Sequence, residues 1–127
     1  MWVDMYEYVN CELVSKGSPL WIIVSMGDTQ LERVDLEWKE KYQAYKYKPI
    51  QFPKKIDITN VEDPMQLPDI FVNVYTNTTF SSSVRIAYLR IKARECMSMN
   101  FKPNWYRFAS PYNDSDGANP GMMLLNI

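Results

Sequence analysis

The sequence predicts an all-β protein, an antiparallel β-sandwich of about eight short strands. Short runs of β-branched and aromatic residues recur along the chain, and turn-forming Gly, Pro, Asn and Ser separate them. Two of the strongest runs, residues 70–75 and 84–92, flank a loop of Thr, Asn and Ser, as the arms of a β-hairpin do. The length of 127 residues predicts one domain over residues 1–127.

The first strand is predicted at residues 6–14 (YEYVNCELV), where β-branched and aromatic residues are frequent. Residues 15–19 (SKGSP) then form a turn signal, since Gly and Pro interrupt regular structure. Leu20–Met26 is a continuous apolar run of strand length, and Gly27 ends it. Such runs are typical of strands that are covered on both faces.

Residues 29–47 support two interpretations. Thr29 and Glu32 have the spacing of a helix-capping box. Apolar residues also recur at helical spacing, namely Leu31, Val34, Trp38, Tyr42 and Tyr45. The alternating lysines in the same segment suit a strand that is exposed on one face. Propensity favours helix, and the segment remains open between helix and strand.

The second half of the chain continues the strand pattern. Residues 55–59 (KIDIT) alternate, and residues 60–68 form a polar loop with two prolines. In the hairpin that follows, Ile70, Val72 and Val74 share one face of the first arm. On the second arm the apolar face changes after Tyr88, which predicts a bulge near Tyr88 or a strand buried on both sides. The last strand is predicted at residues 121–127 (GMMLLNI).

Composition argues against several classes of function. Fourteen basic and fifteen acidic residues leave a net charge of −1, so binding of nucleic acid or membrane would need a local patch. The chain has no histidine, only four glycines, no nucleophile motif and no metal-ligand spacing. We therefore expect no catalysis, no cofactor and no nucleic-acid partner. The longest apolar run, residues 20–24, is far shorter than the ~20 residues of a membrane span.

The hairpin resembles that of a C2 domain, the phospholipid-binding β-sandwich, and most closely those of the ferlin-type multi-C2 proteins of membrane traffic. Similar stretches before and after the third top loop of ferlin-type domains correspond here to LPDIFV (67–72) and RIAYLRI (85–91). Looser matches are KPIQF (48–52), Trp105 with Tyr106, and PGMML (120–124). The resemblance implies a C2 module excised from a larger multidomain protein, with a cytoplasmic location peripheral to membranes.

Calcium-binding C2 domains hold the ion with aspartates from two loops at one end of the sandwich. The corresponding loops here are residues 15–19 and 76–83, and neither contains Asp or Glu. Because calcium requires six to eight oxygen ligands, with carboxylates supplying the charge, the resemblance predicts a calcium-independent domain without a metal site.

A lysine cluster is the strongest positive indication of function. Between residues 39 and 55, six lysines accompany one acid, Glu40, and they are Lys39, Lys41, Lys46, Lys48, Lys54 and Lys55. C2 domains commonly present a lysine-rich strand to anionic lipid, so the resemblance implies that these residues bind anionic phospholipid. Phe80, at the tip of the third loop, is predicted to insert into the bilayer. We expect weak, calcium-independent docking by an isolated domain that is monomeric.

Each of these assignments has an alternative. The lysines can form an ordinary solvated face that Asp35, Glu37 and Glu40 balance, and Phe80 can fold back onto the sandwich. The aromatic residues between the lysines can stack on single-stranded nucleic acid but are more often core or strand-face residues, and they are Trp38, Tyr42, Tyr45 and Tyr47. The alternative function is a protein–protein or intramolecular interaction module without lipid binding, which predicts an exposed apolar patch away from the lysines.

Overall fold

A computed structural model describes residues 2–47, 51, 53–56, 67–78, 82–92, 95, 102–111 and 118–127. Within these residues the chain forms ten strands and one short 3-10 turn, Glu40–Tyr42. The strands are β1 (Trp2–Cys11), β2 (Leu20–Met26), β3 (Thr29–Gln30), β4 (Val34–Lys39), β5 (Ala44–Tyr47), β6 (Lys54–Lys55), β7 (Ile70–Asn77), β8 (Ser83–Ile91), β9 (Asn104–Arg107) and β10 (Pro120–Asn126).

The strands are antiparallel and follow the order β8-β7-β2-β4-β5-β1-β10-β9, while β3 pairs with β2 and β6 pairs with β1. We call β8-β7-β2-β4 the first half-sheet and β4-β5-β1-β10-β9 the second half-sheet. A bridge joins the two ends of this order, because Tyr88 of β8 and Ala109 exchange two backbone hydrogen bonds of 2.9 Å. The predicted antiparallel β-sandwich is confirmed.

The core lies between the two half-sheets and follows from the period-2 alternation of the strands. In β7, Ile70, Val72 and Val74, which were predicted to share one face, are fully buried, and in β10 Met123 and Leu125 are fully buried. Their neighbours along each strand are half-buried, except Asn73, which is also buried. Burial of apolar area at about 25 cal/mol per Å² makes this inner face the main source of stability.

The open question at residues 29–47 is resolved in favour of strands. Strand β4 pairs with β2 and β5, and the 3-10 turn is the only helical piece that the structure describes in this segment. Val34 and Leu36 face the core, whereas Tyr42 lies in the turn and is 57% exposed. The helical spacing was therefore misleading, because pairing with two neighbouring strands outweighs a weak helix propensity.

The predicted turn at residues 15–19 is confirmed, since Ser18 N donates to Ser15 O at 3.1 Å. The strand predicted at Leu20–Met26 has the same bounds in the structure. The strand predicted at residues 55–59 is described only as the pair Lys54–Lys55, and residues 57–59 lie outside the described part of the chain.

The hairpin contains a bulge, but two residues before the predicted position. Val74 pairs with Ala87 and Tyr75 pairs with Arg85, so Ile86 has no partner on β7. Ile86 and Ala87 are consequently both buried, and Leu89 and Ile91 continue the same face. The bulge explains why the apolar face of the second arm changes in the sequence, because the extra residue turns two successive side chains toward the core.

Candidate functional site: the outer face of the second half-sheet

The two loops that the sequence analysis paired meet at one end of the sandwich. Leu20, directly after the first loop, pairs with Thr76, and the Thr76 hydroxyl donates to Pro19 O at 2.8 Å. In the other loop, Thr78 N donates to Ser82 O. Phe80, the predicted inserting residue, lies outside the described residues, and its role stays a prediction.

The chemistry of this loop end does not fit a calcium ion. Residues 15–19 and 76–83 offer hydroxyl, amide and carbonyl oxygens but no carboxylate. A cation is already present, because Lys16 Nζ donates to Gln43 Oε1 at 2.9 Å. Across the residues that the structure describes, no group of three or more Asp, Glu, Cys or His could hold a metal. Calcium requires several charged oxygens, and these two loops do not supply them.

The 3-10 turn between β4 and β5 is held by a network around Glu40. Its carboxylate accepts hydrogen bonds from Trp38 Nε1 at 2.7 Å and from Gln43 Nε2 at 3.0 Å. These two donors, Trp38 first, stabilise the ionised carboxylate and lower the pKa of Glu40. Gln43 adopts a left-handed conformation with φ of 50°, and its amide also donates to Glu40 O. The turn is therefore ordered by its own side chains.

This turn presents an aromatic ring beside two ammonium groups. Lys46 Nζ lies 4.4 Å from the centroid of the Tyr42 ring, and Lys41 Nζ lies 5.6 Å from it. We call Lys41, Tyr42 and Lys46 the turn cluster. The distances are those of cation–π contacts, which hold the two cations near the exposed ring.

Acidic residues accompany the lysines of β4 and β5. Lys39 Nζ lies 3.1 Å from Glu37 Oε1, and Lys46 lies between Glu37 and Glu7 in the strand register. A depression of about 400 Å³ in this area is lined by Tyr6, Glu7, Glu37, Lys39, Lys46 and Tyr47. The area is thus less positive than the sequence run suggests, although ion pairs this exposed contribute only about 0–1 kcal/mol.

The remaining lysines lie elsewhere. Lys54 and Lys55 pair with Val3 and Trp2 at the far end of β1, about 15 Å along the strand from Lys46. Lys55 Nζ lies 5.7 Å from the centroid of the Trp2 ring. Lys48 lies outside the described residues. The structure brings Lys39, Lys41 and Lys46 together and places Lys54 and Lys55 in a separate patch, and lipid binding by these residues stays a prediction.

Two aromatic residues of this face, Trp2 and Trp105, were not predicted as site residues, and Tyr42 was considered only for stacking on nucleic acid. In the described part of the chain, the large hydrophobic side chains with the greatest exposure are Trp2 and Tyr42 at 57% and Trp105 at 45%. The alternation of Trp105 and Arg107 with half-buried Tyr106 was the available signal for an outward Trp105. This signal was weak because a strand of four residues is too short to establish a period-2 alternation.

The described residues include no helix long and apolar enough to cross a membrane.

Comparison with known proteins defines the class of fold. No family model and no curated protein matches the sequence. Among solved structures, the chain is similar to the C2 domain designated A of a plant extended synaptotagmin 1, with a TM-score of 0.63 and 10% sequence identity. The similarity covers 98% of this chain and 88% of that domain. The chain therefore has the fold of a C2-type β-sandwich, the class to which the hairpin pointed.

Proposed function

We propose that this chain is a non-catalytic C2-type module that docks on anionic phospholipid membranes without calcium. The resemblance of its hairpin to those of ferlin-type domains suggests a parent protein that acts in membrane traffic, for example in vesicle fusion during exocytosis. It also suggests a cytoplasmic location, peripheral to membranes. The observation that carries the proposal is the turn cluster, in which exposed Tyr42 lies beside Lys41 and Lys46. An aromatic ring flanked by lysines suits the interface between lipid headgroups and hydrocarbon.

The expected affinity is low. Each lysine near an anionic surface contributes about 1 kcal/mol, and three are close together in Lys39, Lys41 and Lys46. Glu37 and Glu7 flank Lys46 on the two neighbouring strands and reduce this attraction. In this proposal, Lys48, Lys54 and Lys55 contact lipid headgroups when the domain lies flat on the membrane. Insertion of Phe80 into the bilayer adds at most about 3 kcal/mol of binding free energy.

Removal of both lysines of the turn cluster tests the proposal. We expect Lys41→Gln with Lys46→Gln to weaken sedimentation with phosphatidylserine-containing vesicles by roughly tenfold or more, because about 2 kcal/mol of electrostatic attraction is lost. The matched control, Arg90→Gln with Lys92→Gln, removes two positive charges at the end of β8 in the other half-sheet and retains binding. Equal binding of the two variants, or equal binding of the native domain to neutral and anionic vesicles, would contradict the proposal.

Calcium independence has its own test. We expect calorimetric titration with calcium chloride to give no binding tighter than millimolar, since loops 15–19 and 76–83 lack carboxylates. Sedimentation with anionic vesicles is expected to be equal in calcium and in EGTA. Micromolar calcium binding would show that other residues form a metal site, even if the turn cluster binds lipid as proposed.

A protein-docking module is the second candidate, and one observation favours it. The second half-sheet carries an apolar strip of Val9, Met122, Leu124 and Trp105 on its outer face, although this strip lies beside the lysines and not away from them, as that alternative predicts. An apolar strip next to charged residues is also found where protein partners bind.

A further inference from the structure

Two rows of residues that pair directly across neighbouring strands, which we call register rows, cross the outer face of the second half-sheet and define its chemistry. The first row runs Glu37, Lys46, Glu7, Leu124 and Trp105 from β4 to β9. The second row runs Lys39, Ala44, Val9, Met122 and Arg107. Five strands at about 4.8 Å spacing make each row roughly 19 Å long. The face is therefore mostly charged at β4 and β5 and apolar at β10, whereas β1 and β9 each contribute one charged and one apolar residue.

Among the residues that the structure describes, the three most exposed large aromatic side chains surround these rows. Trp105 ends the first row at the β9 edge, Tyr42 follows β4 at the opposite edge, and Trp2 begins β1. Trp2 points away from the core because Val3 and Met5 alternate with it and are fully buried. All three aromatic side chains thus lie on the outer side of one half-sheet.

A cation accompanies each of the three aromatic residues. Lys55 contacts the Trp2 ring at 5.7 Å, and Lys46 contacts the Tyr42 ring at 4.4 Å. Arg107 is the second residue after Trp105 on β9 and shares its face, since Trp105 pairs with Leu124 and Arg107 with Met122. Two of the three aromatic rings thus contact a lysine, and the third, Trp105, has an arginine on the same face of its strand.

The combination fits a lipid surface better than a protein. Trp and Tyr concentrate at the membrane–water interface because the ring is apolar and its polar group reaches the headgroups. Lysine is enriched beside anionic membranes but depleted at the centre of protein interfaces. The apolar strip, which extends from β1 to the β9 edge of the face, then contacts the upper part of the acyl chains.

We propose that the outer face of the second half-sheet lies flat on the phospholipid surface, with Trp2, Tyr42 and Trp105 as interfacial anchors. This inference rests on the proposed function and adds its orientation, because docking through the turn cluster alone leaves both tryptophans in water. The partner is the headgroup and upper acyl region of a phosphatidylserine-containing membrane.

Tryptophan quenching by lipids brominated on the acyl chain tests the orientation. At saturating vesicles, we expect the native domain to be quenched and the Trp2→Phe, Trp105→Phe double variant to lose most of that quenching. The double variant retains Trp21, which is buried in the first half-sheet, and Trp38, which is half-buried. Both replaced side chains are exposed, so the variant is expected to fold as the native protein does.

Affinity gives a second measurement. We expect Trp105→Ser to lower the vesicle partition coefficient about tenfold, with a loss that persists at high salt because apolar contact is not screened. The matched control is Tyr88→Ser, which removes an aromatic side chain from the outer face of the first half-sheet and leaves partition unchanged. By contrast, the effect of removing Lys41 and Lys46 is expected to shrink as salt rises.

The outcomes separate this inference from the proposed function. Vesicle binding without quenching, or quenching that survives in the double variant, overturns the flat orientation and leaves lysine-dependent docking intact. No binding to anionic vesicles overturns both. A concentration-dependent dimer in sedimentation velocity that Trp105→Ser abolishes, together with unquenched tryptophans, assigns the face to a second copy of this chain instead.

Discussion

Replacement of Gly121 by alanine is expected to destabilise the domain by about 2–4 kcal/mol. Gly121 has φ of +97°, a conformation that side chains rarely adopt. An added Cβ would also lie 2.6 Å from Cε1 and 2.8 Å from Cζ of Tyr8, whose ring is fully buried. Backbone strain and overpacking of the core therefore act together. Urea unfolding of the two proteins, compared through their midpoints, measures the difference.

Gly17→Ala is the matched control for this prediction. Gly17 also has a positive φ, +82°, but its added Cβ would meet Trp38 at an ordinary 3.6 Å. We expect only the backbone cost at Gly17, about 1 kcal/mol. Equal losses at the two glycines would show that the Tyr8 ring moves aside, and the packing around Gly121 would then be looser than the distances indicate.

Loss of stability at alkaline pH is the second large effect, and it involves the same tyrosine. Burial, with a smaller contribution from Cys11, raises the pKa of the Tyr8 phenol above its usual value near 10. The phenol donates to Pro120 O, and this hydrogen bond needs the protonated form. In the unfolded chain the phenol ionises near pH 10, whereas in the folded chain it stays protonated.

The unfolded state therefore binds fewer protons than the folded state above pH 10, and the stability due to Tyr8 falls as pH rises. The slope is about 1.4 kcal/mol per pH unit for one such group, and the contribution is complete below pH 10. Burial raises the pKa of Tyr45 as well, so Tyr45 adds to the same loss. Urea midpoints measured from pH 8 to 11 should show the decline.

Tyr8→Phe identifies the group. We expect this variant to lose about 1 kcal/mol of unfolding free energy at neutral pH, because the hydrogen bond to Pro120 is removed. Its stability should nevertheless fall less steeply with rising pH than that of the native protein. Tyr42→Phe, at the exposed turn, should change neither quantity. An unchanged alkaline slope in Tyr8→Phe would mean that Tyr45 or another group governs the decline.

The hairpin and the run at residues 20–26 could be predicted because their information is local. Leu20–Met26 was predicted with the observed bounds, and Ile70, Val72 and Val74 were predicted to share one face, which is the core face of β7. A period of two and turn-forming neighbours are sufficient for such strands. The same alternation indicated a bulge, but its position at Ile86 depends on how β8 pairs with β7.

Residues 29–47 show why local information was insufficient elsewhere. Their apolar spacing suits a helix, yet β4 is a strand because it hydrogen-bonds with both β2 and β5. Both partners are near in sequence, but helix propensity describes residues one by one and does not include pairing between strands. The 3-10 turn that carries Tyr42 depends on Glu40, Trp38 and Gln43 meeting around one carboxylate.

The candidate site also combines features that the sequence shows with features that only the tertiary structure shows. Six lysines within seventeen residues looked like one basic face, but Lys54 and Lys55 pair with the start of β1, far from Lys46. Trp2 and Trp105 are 103 positions apart in the sequence and meet on one face only through β1, β10 and β9. Antiparallel pairing joins residues of any separation, which no local pattern records.

The sequence by itself determined the C2-type class through the hairpin, and it determined that loops 15–19 and 76–83 contain no carboxylates. Strand alternation and residue chemistry are local properties, so they can be recognised without coordinates. Only the tertiary structure decided which side chains share the outer face of the second half-sheet. That face is built by register between strands, and register is a contact between distant parts of the chain.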